Sequence, residues 1–180
     1  PGVGQDLGSV VGRAQSLDVT VGQIAKTAGM STALAHHYFG GKNQIFLAAM
    51  RYILTEYSAQ VRYHLVRATT PRGRAEAIII GSFDEACFAP STVCAWMSLY
   101  AAAPNQPETK RLLTLHQARL RSNLTHALRG RCADPVLAAD TLAALIDGFY
   151  IRAALAQRGG ADDAAQMAVN LLHVLTGPTP

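Results

Sequence analysis

Residues 20–42 read TVGQIAKTAGMSTALAHHYFGGK, and the groups there that can do chemistry are hydroxyls, imidazoles, a phenol and amines, with no carboxylate among them. Thr20 has the side-chain oxygen that caps a helix N-terminus. After it, Val21, Ile24, Ala25 and Ala28 fall on one face, so the spacing predicts a short amphipathic helix over 20–28. Gly29 stands where a tight turn needs positive φ. Ser31 caps a second short helix, 32–38. Two short helices joined by a Gly-containing turn make a helix-turn-helix, whose second helix enters the major groove of DNA. Thr32 and Ala33, small and at its N-terminal end, let the backbone approach base edges, and a Thr bonds a base or touches a thymine methyl. His36, His37 and Tyr38 supply donors and aromatic surface towards phosphates, and Lys42 a point charge. From Val19 to Thr55 there is no Asp or Glu, while Lys26, Lys42 and Arg51 are present. That is the field a polyanion selects. The same pattern also suits a helical hairpin packed on the helix that follows, with no DNA involved.

The remaining reactive residues form no catalytic or metal signature. His36 and His37 are adjacent, so they point about 100° apart on a helix and cannot chelate as an i, i+4 pair would. His116 and His126 are expected to be solvated or to cap a helix. Cys87, Cys94 and Cys132 are spaced for neither a zinc ribbon nor a redox pair, and they read as free thiols of a reducing compartment, the cytoplasm. There is no Ser/His/Asp signature, no HExxH and no Gly-rich phosphate loop. No enzyme activity, cofactor or metal is expected.

These groups need a scaffold, and the scaffold reads as all-α. The chain has 180 residues, about half of them hydrophobic (49%), and a net charge of +4. That suits one domain or a small head on a larger body, with a local basic surface rather than a polybasic coat. No apolar run reaches the roughly 18–20 residues of a membrane span, so no membrane partner is expected. No basic n-region precedes the first apolar residues, so no secretory leader is expected. The chain opens at Pro1, and a longer N-terminus is expected. No period-2 alternation stands out. Breaks at Pro71, Pro90, Pro104, Pro107, Asp134-Pro135 and Gly159-Gly160 separate helices expected at 43–67, 72–88, 91–102, 108–130, 135–157 and 162–175. Phe46, Ala49, Met50, Ile53, Tyr57 and Val61 line one side of the first of these; Leu113, Leu120, Leu124 and Leu128 form a stripe on the fourth. An N-terminal helix is expected on Leu7, Val10, Val11 and Ala14, weakened by Gly8 and Gly12 at about 1 kcal/mol each.

The opening stretch resembles the helix-turn-helix of the TetR family of repressors, whose pattern T-[VI]-x-x-I-A-x-x-A-G-[VM]-S-x-x-x-[LIA]-x-x-[YH]-F-x-x-K it matches almost throughout. It departs at Ala35, small where the family places Leu or Ile, and at His36, where Tyr is common. The stretches HYFGGKNQIFLAAMRYIL, AWMSLYAAAPNQPETKRLLTLHQARLRSNLTHALR and AALIDGFYIRAAL are similar to the BetI-like subfamily, repressors of the choline-to-glycine-betaine pathway. The resemblance implies a three-helix DNA-binding head at 1–45 and a helical ligand-binding and dimerisation body at 46–180. It also implies a homodimer on double-stranded operator DNA, joined through the last two helices as a four-helix bundle. Leu142, Leu145, Ile146, Phe149 and Ile151, with Met167, Val169, Leu171, Leu172 and Val174, carry the apolar surface there. An intramolecular core would use the same residues.

In the family the body takes a small inducer. Trp96 and Tyr100 lie four apart, Phe83 and Phe88 precede them, and Phe149 and Tyr150 follow. Asp84, Glu85 and Asp147 are acids close to these aromatics in sequence. Aromatic faces with a nearby carboxylate hold a quaternary ammonium, and choline fits that chemistry. The inducer expected here is therefore choline or another quaternary ammonium, held by Phe83, Trp96, Tyr100, Asp147, Phe149 and Tyr150. The same aromatics at helical spacing also make an ordinary core. A repressor of efflux or catabolic genes answering a larger apolar effector is the alternative within the family. A helical enzyme is the alternative outside it, and would need a convergent set of titratable groups.

Overall fold

The structure, a computed structural model, describes Ser31, Ala33, residues 41–155 and residues 160–177. The assignments made to Thr20, Thr32, His36, His37 and Tyr38, and the N-terminal helix at Leu7 to Ala14, lie outside the described residues. Among the described residues there are six long helices and no strand: α1 Lys42–Leu65, α2 Pro71–Ser82, α3 Pro90–Ala102, α4 Pro107–Leu128, α5 Pro135–Ala154 and α6 Ala161–Thr176. None is long and apolar enough to cross a membrane. By internal packing the chain divides into two units, Pro1–Thr55 with Ala89–Leu113, and Glu56–Phe88 with Thr114–Pro180.

Proline punctuation places most of the helix starts. Four of the six begin with a proline, which loses nothing at a position whose N–H has no intrahelical partner. Thr70 caps α2 by accepting from Gly73 N at 3.0 Å. Asp134 caps α5 by accepting from Val136 N and Leu137 N, both at 3.0 Å. Beyond α4, Gly130 takes positive φ (70°), the left-handed conformation that closes a helix cheaply only for glycine.

In the first unit, the apolar stripe of α1 is buried through Ile45, Phe46, Leu47, Ala49, Met50 and Ile53. α3 buries Val93, Ala95, Trp96, Leu99 and Ala102. Gln44 Nε2 donates to Glu108 Oε2 at 3.1 Å, tying α1 to the start of α4.

In the second unit, α6 packs on α5 and α2. His173 Nε2 lies 2.8 Å from Glu76 Oε1, and Arg72 approaches the same oxygen at 3.6 Å while its Nη1 donates to Gly177 O at 3.4 Å. These contacts hold the end of the last helix against the first turns of α2. The end of α1 and α2 come closer than a side chain allows: a Cβ on Gly81 would stand 2.8 Å from Val61 Cα. Leu120, Leu124 and Leu128 of α4 are buried as their spacing predicts, whereas Leu113 is only partly covered.

The expected helix 72–88 ends early, at Ser82. Asp84 is the reason. Its Oδ1 accepts from Ala86 N at 3.2 Å, and its carbonyl accepts from Cys87 N and Phe88 N at 2.8 and 2.9 Å. An aspartate that bonds the backbone two residues on competes with the helix and wins where tertiary contacts support the turn.

Candidate functional site

The turn that ends α2 carries the aromatic cluster of the second unit. Phe83 follows the last helical residue and is 3% exposed. Its ring meets Phe88 at 5.3 Å and 75°, Phe149 at 5.7 Å and 80°, and Tyr150 at 6.2 Å and 30°. Phe88 and Tyr150 meet edge-to-face at 5.0 Å. Edge-to-face pairs set the positive edge of one ring on the negative face of the next. The Tyr150 hydroxyl donates towards Ser82 O at 2.6 Å and lies 3.1 Å from Cys87 O. It thus occupies a carbonyl that the end of α2 leaves without an intrahelical partner. The structure therefore brings four of the aromatics named from the sequence, Phe83, Phe88, Phe149 and Tyr150, into one cluster.

A second, polar layer adjoins this cluster. The Ser82 hydroxyl donates to Ile78 O at 2.8 Å, so the Tyr57 hydroxyl, 3.1 Å from Ser82 Oγ, is the donor in that pair. The Tyr57 ring stands edge-on to His116 at 5.0 Å and 78°. Burial pushes the Tyr57 phenol up to about 12, with the negative charge of Asp147 among the lesser causes. Burial likewise pushes the Cys87 thiol up to about 12, so it stays protonated. His116 is driven down to about 4, first by burial and then by the Arg119 charge, and is neutral at pH 7. His116 is thus partly covered and set against Tyr57, not solvated or capping as its sequence position suggests. Tyr57 and His116 are the residues the sequence reading missed as a pair. They lie far apart in the chain, and no spacing links them.

The His116 shift has a pH consequence. The unfolded chain takes up that proton near the ordinary 6.5, the folded chain only near about 4. Between those values the unfolded state binds more protons, so stability falls as pH drops through that window and this contribution levels off below it. Thermal melts between pH 7 and 4 should show the fall, and His116→Gln should flatten it. An equal slope in the variant would assign the acid sensitivity to other groups.

The other candidates are placed as follows. Trp96, 3% exposed, and Tyr100 belong to the first unit, their rings 5.9 Å apart and inclined by 34°. Asp147 is partly buried in the second unit, whereas Glu85 is exposed on the turn after α2. Ser31 and Ala33 are exposed, and Lys42 is the first residue of α1.

The last two helices are apolar on more than one side. Leu142, Ile146, Phe149 and Leu172 are buried within the chain's own core. A different stripe of α5 faces outward: Leu137, Thr141, Ala144, Gly148, Ile151 and Leu155, at spacings of four and three. Leu137 and Leu155 are 63% and 64% exposed, and nothing lies within 4 Å of a Cβ built on Gly148. On α6, Met167 and Val174 are 53% and 78% exposed, two turns apart on one side. Large apolar residues exposed in register on adjacent helices are the pattern of an unfilled interface.

The family described as BetI-type transcriptional repressor, C-terminal, matches residues 71–177. Bacterial regulatory proteins of the tetR family match residues 15–49. The chain is similar to the HTH-type transcriptional regulator BetI of Brucella anthropi, 45% identical over 147 residues that cover 81% of this chain and 76% of the relative. Its fold is similar to that of a TetR transcription regulator from Haloarcula marismortui, with a TM-score of 0.82 at 20% identity over 97% of this chain and 98% of the other. It is also similar to that of a transcriptional regulator from Saccharomonospora viridis in complex with choline, with a TM-score of 0.83 at 22% identity over 95% and 93% of the two chains.

Proposed function

The chain belongs to the TetR family of bacterial transcriptional regulators and carries a BetI-type repressor C-terminal domain, and from that premise we propose that it is an operator-binding homodimer released from DNA by choline or another quaternary ammonium. Residues 1–45 act as the DNA-binding head and 46–180 as the inducer-binding and dimerisation body. In the head, Thr20 and Ser31 cap the two short helices. Thr32 and Ala33 face base edges, while His36, His37, Tyr38 and Lys42 meet phosphates. Two such heads, related by a two-fold axis, read half-sites about 34–36 Å apart or a multiple of that. The outward stripe of α5 and the exposed Met167 and Val174 of α6 support the pairing of subunits through these helices.

The observation that carries the inducer is the placement of the candidate residues within the BetI-type domain. Phe83, Trp96, Tyr100, Asp147, Phe149 and Tyr150 all fall inside residues 71–177. The Saccharomonospora viridis protein of similar fold has choline bound. Aromatic faces attract a quaternary ammonium that no hydrogen bond can hold, and a carboxylate such as Asp147 balances its charge. Choline acts by binding the DNA-incompetent arrangement more tightly than the DNA-competent one.

Calorimetry with choline, betaine aldehyde, glycine betaine and an uncharged isostere of choline, alongside operator binding followed by fluorescence anisotropy, tests this. Choline should bind and weaken operator affinity. Trp96 is 3% exposed, and a cation over a desolvated ring face is worth about 2 kcal/mol or more, so Trp96→Ala should lower choline affinity roughly tenfold or more, and Trp96→Phe should keep part of it. Operator affinity without ligand should stay unchanged in Trp96→Phe, which keeps an aromatic ring at this buried position. Equal binding of the uncharged isostere would overturn the aromatic–cation reading.

A further inference from the structure

The second unit holds a cleft of about 220 Å³ that the repressor reading leaves unused. Its polar lining comes from Arg74 on α2, from Ser122, Asn123 and His126 on α4, and from Arg129 just beyond. Leu65, Ile78 and Ala127 complete the lining. Ile78 and Ala127 belong to the core, so the cleft has an apolar floor under a rim of donors. No Asp or Glu lines it.

The position of Arg74 is the informative feature. It sits in the opening turns of α2, where the free N–H groups already make a positive field that disfavours a cation. The first turn of α2 contains no acid to offset it. Its neighbour Arg72 is engaged by Glu76 and the Gly177 carbonyl. Arg129 and His126 have a local reason to be basic, since they lie at the carbonyl end of α4. Arg74 has none, yet it lines the same cleft as Arg129, with no acid in the lining to balance the two positive charges. An anion in the cleft would supply that balance and accept from two planar sets of donors.

We infer that this cleft binds a small organic oxyanion, a carboxylate or phosphate held between Arg74 and Arg129 with a short apolar portion on Leu65, Ile78 and Ala127. Asn123 and Ser122 supply neutral donors to the remaining oxygens. A volume below the roughly 300–1,000 Å³ of drug-sized pockets restricts the ligand to a few heavy atoms. The site is separate in chemistry from a quaternary ammonium site, which needs ring faces and negative charge.

The experiment is a titration of the intact, DNA-free protein with inorganic phosphate, acetate and butyrate, followed by calorimetry and by amide chemical shifts, with chloride holding ionic strength constant. Saturable binding of at least one anion is expected, with butyrate tighter than acetate, and with shifts confined to the cleft residues. Arg74→Gln and Arg129→Gln should each weaken it about tenfold or more, and the Lys variants should retain part of the affinity. Both side chains are exposed, so the variants should melt as the parent does. Arg111→Gln, an exposed arginine of the other unit, should have no effect. Undiminished binding in the Arg74→Gln and Arg129→Gln double variant, or a response to every anion that only rises linearly, would overturn the inference. Choline should leave these shifts unmoved, which keeps the result independent of the inducer.

Discussion

A Gly148→Leu variant is expected to be a well-folded monomer with its operator affinity largely lost. Gly148 lies in the middle of the outward stripe of α5, between Ala144 and Ile151, with open space where a Cβ would stand. Within one chain a Cβ at this position meets nothing within 4 Å, and the helix gains up to about 1 kcal/mol because Leu is a far better helix former than Gly. Across a two-fold interface the same side chain would be driven into the partner at the point where small residues let two helices approach. Dimer dissociation should become at least about a hundredfold easier, since an isologous contact repeats the clash on both sides. A lone head then forfeits the gain from reading two half-sites on one duplex. Sedimentation equilibrium and anisotropy with a palindromic operator are the measurements. An unaltered dimer would place the interface on another face. A lowered melting point in dilute samples, where the parent is itself monomeric, would show that Gly148 serves the chain's own core.

Phe83→Ala should cost about 3–5 kcal/mol of unfolding free energy, the range for emptying a fully packed aromatic site. Phe83 is 3% exposed and its ring contacts those of Phe88, Phe149 and Tyr150. Its loss leaves a cavity against rings whose edge-to-face geometry has no other partner shape to relax onto. It also loosens the turn after α2, where the Tyr150 hydroxyl bonds Ser82 O. Urea unfolding followed by far-UV circular dichroism gives the number, and Phe83→Leu should recover most of it. A loss under about 1 kcal/mol would mean that the cluster is not a packed core but a yielding surface.

The DNA-binding family of the stretch was legible because its pattern is local. The motif read at residues 20–42 falls inside the tetR-family match over 15–49, and it needs only 23 consecutive residues to be recognised. The all-α class and most helix starts were legible for the same reason, since Pro71, Pro90, Pro107 and Pro135 each mark a first helical position that short-range sterics dictate. The end of α2 was not. Asp84 reads as one more polar helix residue until Tyr150, far along the chain, takes the carbonyls that the early stop exposes. Nor could periodicity separate the two apolar faces of α5. Leu142, Ile146 and Phe149 turn inward, while Leu137, Ile151 and Leu155 turn outward, yet all are equally apolar as letters. The pairing of Tyr57 with His116, and the cleft that joins Arg74 to Arg129, depend on helices packing side by side. Sequence alone determines what each short segment prefers, because those preferences are steric and electrostatic effects within a turn or two. Which distant groups meet, and which apolar face is left over, is decided only when several helices compete to bury the same limited surface.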